Sequence, residues 1–422
     1  MPSISHSIIV NVGEDYLESY LKGLGLQRTE DDRGKDLKYW MDSLFEKDRI
    51  IIEDLEEFLF RELFWGKRKT IRVYKLEQIK DYREPEDWEC ALKEHYGITS
   101  IDFCNILGTL PDKEQGRKIA AVRSEETDKG ELLKIRILFV CAIQINGQNG
   151  YLDSIAYIPV ELDFKERVMI LKAWTRQKVA LEEHKAEKLL THIENLMRME
   201  FGVKTKEFAD KHRQTLFLMS KDLINEAYKR IEAYNKIGKV SGKIKEFTGT
   251  ILEELTLENV EKDIEGRVTL EEGVMDFEGE IRNVIECLVI SDYFYQREFS
   301  QIWDMDLEAV VTRIKFNDRE SVLTSIKGEN TYAPIFCTKT FLTLKNRMEE
   351  TEKTETLWIA MNRTKGNLNL KFDASESRYL KILIRYGIHF KEADLDSALK
   401  IYKKYVEKLN DKNAGAGEAA VS

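Results

Sequence analysis

Proline and histidine are scarce in this 422-residue chain, at 5 and 6 residues, and the glycines fall into no phosphate-binding pattern. With few prolines and only 23 glycines, long unstructured linkers are not expected. There is no Gly-x4-Gly-Lys-Ser/Thr loop and no Gly-x-Gly-x-x-Gly after a strand, which argues against nucleotide motors and dinucleotide folds. No Gly-x-Ser-x-Gly elbow marks a nucleophile. The histidines give no metal pattern either: Cys90, His95 and Cys104 lack a close ligand pair, and His184 and His192 are eight residues apart. Neither a metal nor a cofactor is expected.

Long apolar runs are also missing. The longest are less than half a membrane span and are broken by charge, as at Arg136, so no membrane segment is expected. The opening MPSISHSIIVNVGEDYL has no basic flank followed by an apolar stretch, and no signal peptide is expected. The five cysteines are odd in number and far apart, with several in apolar runs such as ILFVCAIQI and VIECLVI, the setting of reduced core thiols. A cytoplasmic protein is the expectation.

What is present suits a multi-domain α+β protein. The length exceeds that of one ordinary core, and 42% hydrophobic with 34% charged residues gives both a core and a soluble surface. Residues 1–174 read as helices followed by an antiparallel meander, 175–305 as a helical middle, 306–410 as an α+β module and 411–422 as a disordered tail. The stretch DRIIIEDLEEFLFRELFWG has helical spacing, with Asp48 placed to cap it and Gly66 to end it. PEDWECALKEHYG opens on Pro85 and closes on Gly97. From Arg117 the period becomes two, through KIAAVR, LLKIRILFVCAIQI, YLDSIAYIPVELDF and RVMILKAW, and Pro159 implies that the third of these strands bulges or lies partly at an edge. Residues 175–237 read as two paired helices with more apolar residues (Met197, Met199, Phe201, Phe217, Met219) than one partner helix covers, a surplus that marks an interface or a larger core. A protein partner or a second copy is expected there.

Three clusters are candidates for chemistry. Glu161, Asp163 and Lys165, in VELDFKER, loosely resemble the acid, acid and lysine of Mg2+-dependent phosphodiesterases and nucleases. Asp153, the other acid such a site would use, lies on the same strand at about 3.3 Å per residue, too far to share an ion. A solvated hairpin face is the simpler reading. Lys67, Arg68 and Lys69 follow a helix C-terminus, where cations complement the dipole, and Glu53, Asp54, Glu56, Glu57 and Glu62 of that helix are near enough in sequence to neutralise them. The short strand that follows would turn Ile71 and Val73 inward and Arg72 and Tyr74 out. Finally, Lys371, Tyr379, Lys381 and Arg385 alternate with buried positions on two strands, giving a sheet face suited to single-stranded nucleic acid. A net charge of −10 disfavours broad coating of nucleic acid but leaves room for a local basic surface. The leading expectation is a macromolecular-interaction protein that contacts nucleic acid through its C-terminal module, with the Mg2+-dependent phosphodiesterase as the alternative.

Overall fold

The computed structural model describes residues 3–419 except 30, 31, 33, 78–83, 112–115, 149, 265, 272, 273, 296, 298–300, 302–304, 318–322, 331, 363–366 and 386–388. It is an α+β protein in which the described strands pair antiparallel. Two units emerge: Met1–Asp210 with Lys371–Ile401, and Lys211–Leu370 with Tyr402–Ser422. The expected boundary near Trp303 falls on a residue outside the described set.

Along the first unit run α1 (His6–Val12), α2 (Glu14–Gly23), α3 (Leu37–Glu46), α4 (Ile52–Phe64), β1 (Thr70–Leu76), α5 (Pro85–Tyr96) and β2 (Phe103–Cys104). Then come β3 (Arg117–Glu126), β4 (Leu132–Gly147), β5 (Gly150–Asp163), β6 (Val168–Ala173), α6 (Ala186–Met199) and β7 (Thr205–Lys206). The second unit contains α7 (Lys211–Lys229), α8 (Ser241–Leu255), β8 (Val260–Lys262), β9 (Val268–Leu270), α9 (Phe277–Phe294), β10 (Ala309–Asn317), β11 (Leu323–Lys327), α10 (Lys339–Thr351) and β12 (Thr356–Met361). The chain returns through β13 (Leu368–Asp373) to β14 (Leu380–Arg385) and ends in α11 (Glu392–Ala419). Helix thus continues through Asn410–Ala419, where the lack of periodicity suggested disorder.

In the first unit the strand order is β14-β1-β6-β5-β4-β3-β2. The meander β3 to β6 follows the change of period at Arg117, and of the two expectations for Pro159, a bulge or a partial edge, the structure has the edge. β6 pairs β5 only from Val160 to Asp163, so Pro159 has a strand on one side alone. The exposed edge of β5 is sealed by side chains: the Asn11 amide and the Arg176 guanidinium each donate to the Ile155 carbonyl at 3.0 Å.

Helices cover both faces of this sheet. α6 packs on β5 and β6, and α5 contributes Trp88 and Leu92 to the same core. α1 and α4 pack on the opposite face of β5. The second layer explains why β5 is buried without interruption from Ile155 to Asp163, although its alternation suggested one solvated face. β1 needs the same correction. It lies between β14 and β6, and Arg72 and Tyr74, expected outside, are buried beneath α6 as thoroughly as Ile71 and Val73.

The expected helix signals hold in part. Pro85 occupies the first turn of α5, and Gly97 ends it at φ +70° in the left-handed conformation. Asp48 does not cap α4; it lies in the preceding turn with φ 48°, and Ile51 takes the cap position. α6 and α7 each use their apolar stripe on a sheet of their own unit, α7 on β10 and β12. Met197, Phe201, Phe217 and Met219 are accordingly core residues, and only Met199 of that surplus is exposed. No described helix is long and apolar enough to cross a membrane.

Candidate nucleic-acid interface

Three strand ends meet at one margin of the first unit. β1 begins at Thr70, and its antiparallel neighbours β6 and β14 finish beside it, pairing Thr70 with Ala173 and with Leu383. The flanking residues therefore converge from positions more than 300 apart in sequence. They line a pocket of about 290 Å³ formed by Lys67, Lys69, Thr70, Trp174, Thr175, Leu383, Ile384 and Arg385. The Thr70 and Thr175 hydroxyls are 2.7 Å apart. Lys67 and Arg176 both lie against the Trp174 ring, at 4.7 and 4.5 Å from its centroid.

The turn that delivers these cations depends on glycine. Trp65 leaves helical geometry at φ −113°, ψ −95°, and Gly66 follows at φ +33°. A Cβ at Gly66 would lie 2.4 Å from the Glu62 carbonyl oxygen, so no side chain fits without moving backbone. Arg68 anchors the turn from below. Fully buried, it donates to the Asn11 backbone carbonyl at 3.0 Å and to the Asn11 side-chain oxygen at 2.8 Å.

The acids of α4 do not pair with the cluster as their sequence proximity suggested, although Glu62 still favours the charged form of buried Arg68. Glu62 pairs with His389, Glu57 with Arg123, and Glu56 accepts from the Leu107 amide. Among the described residues no carboxylate forms an ion pair with Lys67, Lys69, Arg176 or Arg385. Burial lowers the pKa of Lys67, reinforced by Arg68 and Arg176, with only Asp15 opposing. Burial alone lowers Lys69 and Arg176. Lys67, Lys69 and Arg176 are thus partly desolvated, and Lys67 is also repelled by Arg68 and Arg176, a state that a bound anion relieves.

The four residues singled out on the C-terminal strands separate. Arg385 lines the pocket. Lys371 is paired with Asp373 at 2.6 Å, and Lys381 with Glu187 of α6. Tyr379 lies 4.4 Å from the Arg72 guanidinium and 5.3 Å from the Tyr74 ring. Arg72 is held in turn by Glu187 at 2.6 Å and the Thr191 hydroxyl at 2.9 Å, and Tyr74 donates to Glu194 at 2.9 Å. Helix α6 occupies the side of the sheet that Tyr379 and Lys381 were expected to offer to a ligand.

Glu161 and Asp163 are buried rather than solvated. Asp163 is bridged to Lys134 at 3.1 Å and accepts from the Glu166 amide, while Lys165 is exposed in the turn. Glu161 accepts from Arg136 at 2.9 Å and lies 3.9 Å from the Lys172 ammonium. Burial pushes the Glu161 carboxyl upward, but Lys172 and Arg136 outweigh it, so its pKa lies below normal. Arg136 also reaches Glu125 at 2.9 Å and Glu392 at 2.7 Å. Both carboxylates that a Mg2+ ion would need are thus engaged by cations. No group of three or more metal-ligating side chains converges among the described residues.

Trp174, Thr175 and Arg176 were missed by sequence reasoning. The only available signal was WTR directly after an apolar strand, which reads equally well as a strand end. The sequence matches no family model and no curated protein.

Proposed function

We propose that the protein is a binding protein that grips single-stranded nucleic acid by its phosphate backbone at the pocket lined by Lys67, Lys69 and Arg385. The observation that carries this reading is a pocket with three lining cations, Lys67, Lys69 and Arg385, none of which forms an ion pair with a carboxylate among the described residues, in a chain of net charge −10. Partly desolvated cations interact more strongly with a phosphate than solvated ones do, because less water screens them. The Thr70 and Thr175 hydroxyls add hydrogen-bond partners, and Trp174, Leu383 and Ile384 supply apolar walls against which a sugar or base can rest. A concave site suits a flexible single strand, whose phosphates can enter it, better than the convex surface of a duplex.

Fluorescence anisotropy with labelled single- and double-stranded oligonucleotides at two salt concentrations tests the proposal. Wild type should prefer the single strand, and its affinity should fall with salt by about 0.7 logarithmic units per decade for each phosphate engaged. The double variant Lys69→Glu, Arg385→Glu should bind at least tenfold more weakly. Thr175→Glu, at an exposed position on the pocket mouth, should act in the same direction without disturbing the core. Unchanged affinity in Thr175→Glu and the double variant, both folded by circular dichroism, would sink the proposal.

A further inference from the structure

The second unit contains a helix whose composition and surroundings disagree. α9, FEGEIRNVIECLVISDYF, is strongly apolar along much of its length, yet Ile290 is its only buried residue. One side is used. Glu280 accepts from Asn346, Cys287 donates to the Leu342 carbonyl, Glu286 pairs with Lys345, and Phe294 meets Phe336 at 5.7 Å, all contacts with α10 or the segment before it. The N-terminal part packs on α8, with Arg282 donating to Ser241 at 2.8 Å. What remains is a stripe at i, i+4, i+7 and i+11: Val284 at 62% exposure, Leu288 at 67%, Ser291, and Tyr295 at 82%. At 1.5 Å per residue it runs for about 16 Å.

Three large apolar side chains left in water on one helical face form the pattern of anchors by which one helix lies on another. Charge indicates the occupant. Residues 241–295 contain fourteen Asp and Glu against five Lys and Arg, so this one segment accounts for −9 of the net charge of −10. A second copy of the same face would meet like charge throughout, and an anionic lipid surface would be repelled in the same way. A cationic partner gains from both terms: its apolar residues cover the stripe, and its lysines or arginines are attracted by the negative charge of this segment.

We infer that α9 is a docking surface for a basic amphipathic helix of a partner protein, seated on Val284, Leu288 and Tyr295. The site is separate from the basic pocket of the first unit and stands or falls independently of it.

The test uses the full-length protein and three labelled 18-residue peptides: a Leu/Lys helix with leucines at i, i+3, i+4 and i+7, a same-composition scramble without a continuous apolar face, and a Leu/Glu helix of the first pattern. The Leu/Lys helix should bind at least tenfold more tightly than either of the others. Leu288→Ser with Tyr295→Ser should weaken it at least tenfold while leaving circular dichroism unchanged, since both side chains are exposed. Equal binding of the scramble would show a response to charge alone and overturn the inference. Insensitivity to the double substitution would overturn it too, and so would concentration-dependent dimerisation in sedimentation that the double substitution abolishes, because the stripe would then belong to a second copy.

Discussion

Lys172 is fully buried on β6, with its ammonium 3.3 Å from the centroid of the Trp65 ring, 3.9 Å from that of Phe64 and 3.9 Å from Glu161, and with no hydrogen-bond partner among the described residues. Burial lowers its pKa from 10.5 to about 7, with Glu161 opposing. Because the folded-state pKa lies below the unfolded one, the unfolded chain binds the extra proton between pH 7 and 10.5, and stability rises with pH across that window. The difference corresponds to on the order of 5 kcal/mol, fully felt below pH 7 and absent above 10.5. Lys172→Met keeps the bulk against Trp65 and Phe64 and removes the titrating group, while Glu161 retains Arg136. The substitution should therefore stabilise the protein at pH 6 and flatten the rise between pH 7 and 9. Urea denaturation followed by tryptophan fluorescence at pH 6, 7, 8 and 9 measures both effects. Parallel wild-type and variant profiles, or a variant less stable at pH 6, would refute this account of Lys172.

Glu161→Gln should be harmful at pH 6, since it leaves the fully buried Lys172 without its counter-charge while Arg136 keeps Glu125 and Glu392; a loss of about 3–5 kcal/mol by urea denaturation is expected. Tyr379→Ala should cost about 1–2 kcal/mol through its packing on Arg72 and Tyr74, and should leave oligonucleotide affinity within twofold of wild type in the anisotropy assay. Gly66→Ala should lower the thermal midpoint and weaken oligonucleotide binding together, because the turn that carries Lys67 and Lys69 cannot hold a Cβ. Asn11→Leu should cost about 2–3 kcal/mol by removing an acceptor of buried Arg68 and a donor to the free edge of β5.

Local patterns were legible where the chain's own neighbours decide the structure. Pro85 and Gly97 bracket α5, and the meander from β3 to β6 follows from period-two alternation joined by short turns. What escaped depends on distant partners. β1 reads as a marginal strand because its neighbour β14 lies about 310 residues away, and only that pairing makes it central and buries Arg72. The face of β5 bearing Glu161 and Asp163 reads as solvated because Lys134, Arg136 and Lys172, which neutralise those acids, sit on other strands. The basic cluster at Lys67 to Lys69 was misread for the opposite reason. The nearby acids are close in sequence, but a helix sends them elsewhere, Glu62 to His389 and Glu57 to Arg123. Of the pocket, Arg385 was singled out in the sequence as a candidate on a sheet strand, whereas Trp174 and Thr175 carry no pattern until three strand ends meet.

The central claim, that an anionic strand enters the pocket where β1, β6 and β14 meet, is tested most directly by lysine footprinting. Wild-type protein is acetylated briefly with and without a single-stranded oligonucleotide, and modification at each lysine is quantified by mass spectrometry. Lys67 and Lys69 should be protected severalfold by the oligonucleotide, while Lys371 and Lys381, already held by Asp373 and Glu187, should react equally in both samples. Protection confined to Lys371 and Lys381, or none at Lys67 and Lys69 under saturating oligonucleotide, would contradict the claim.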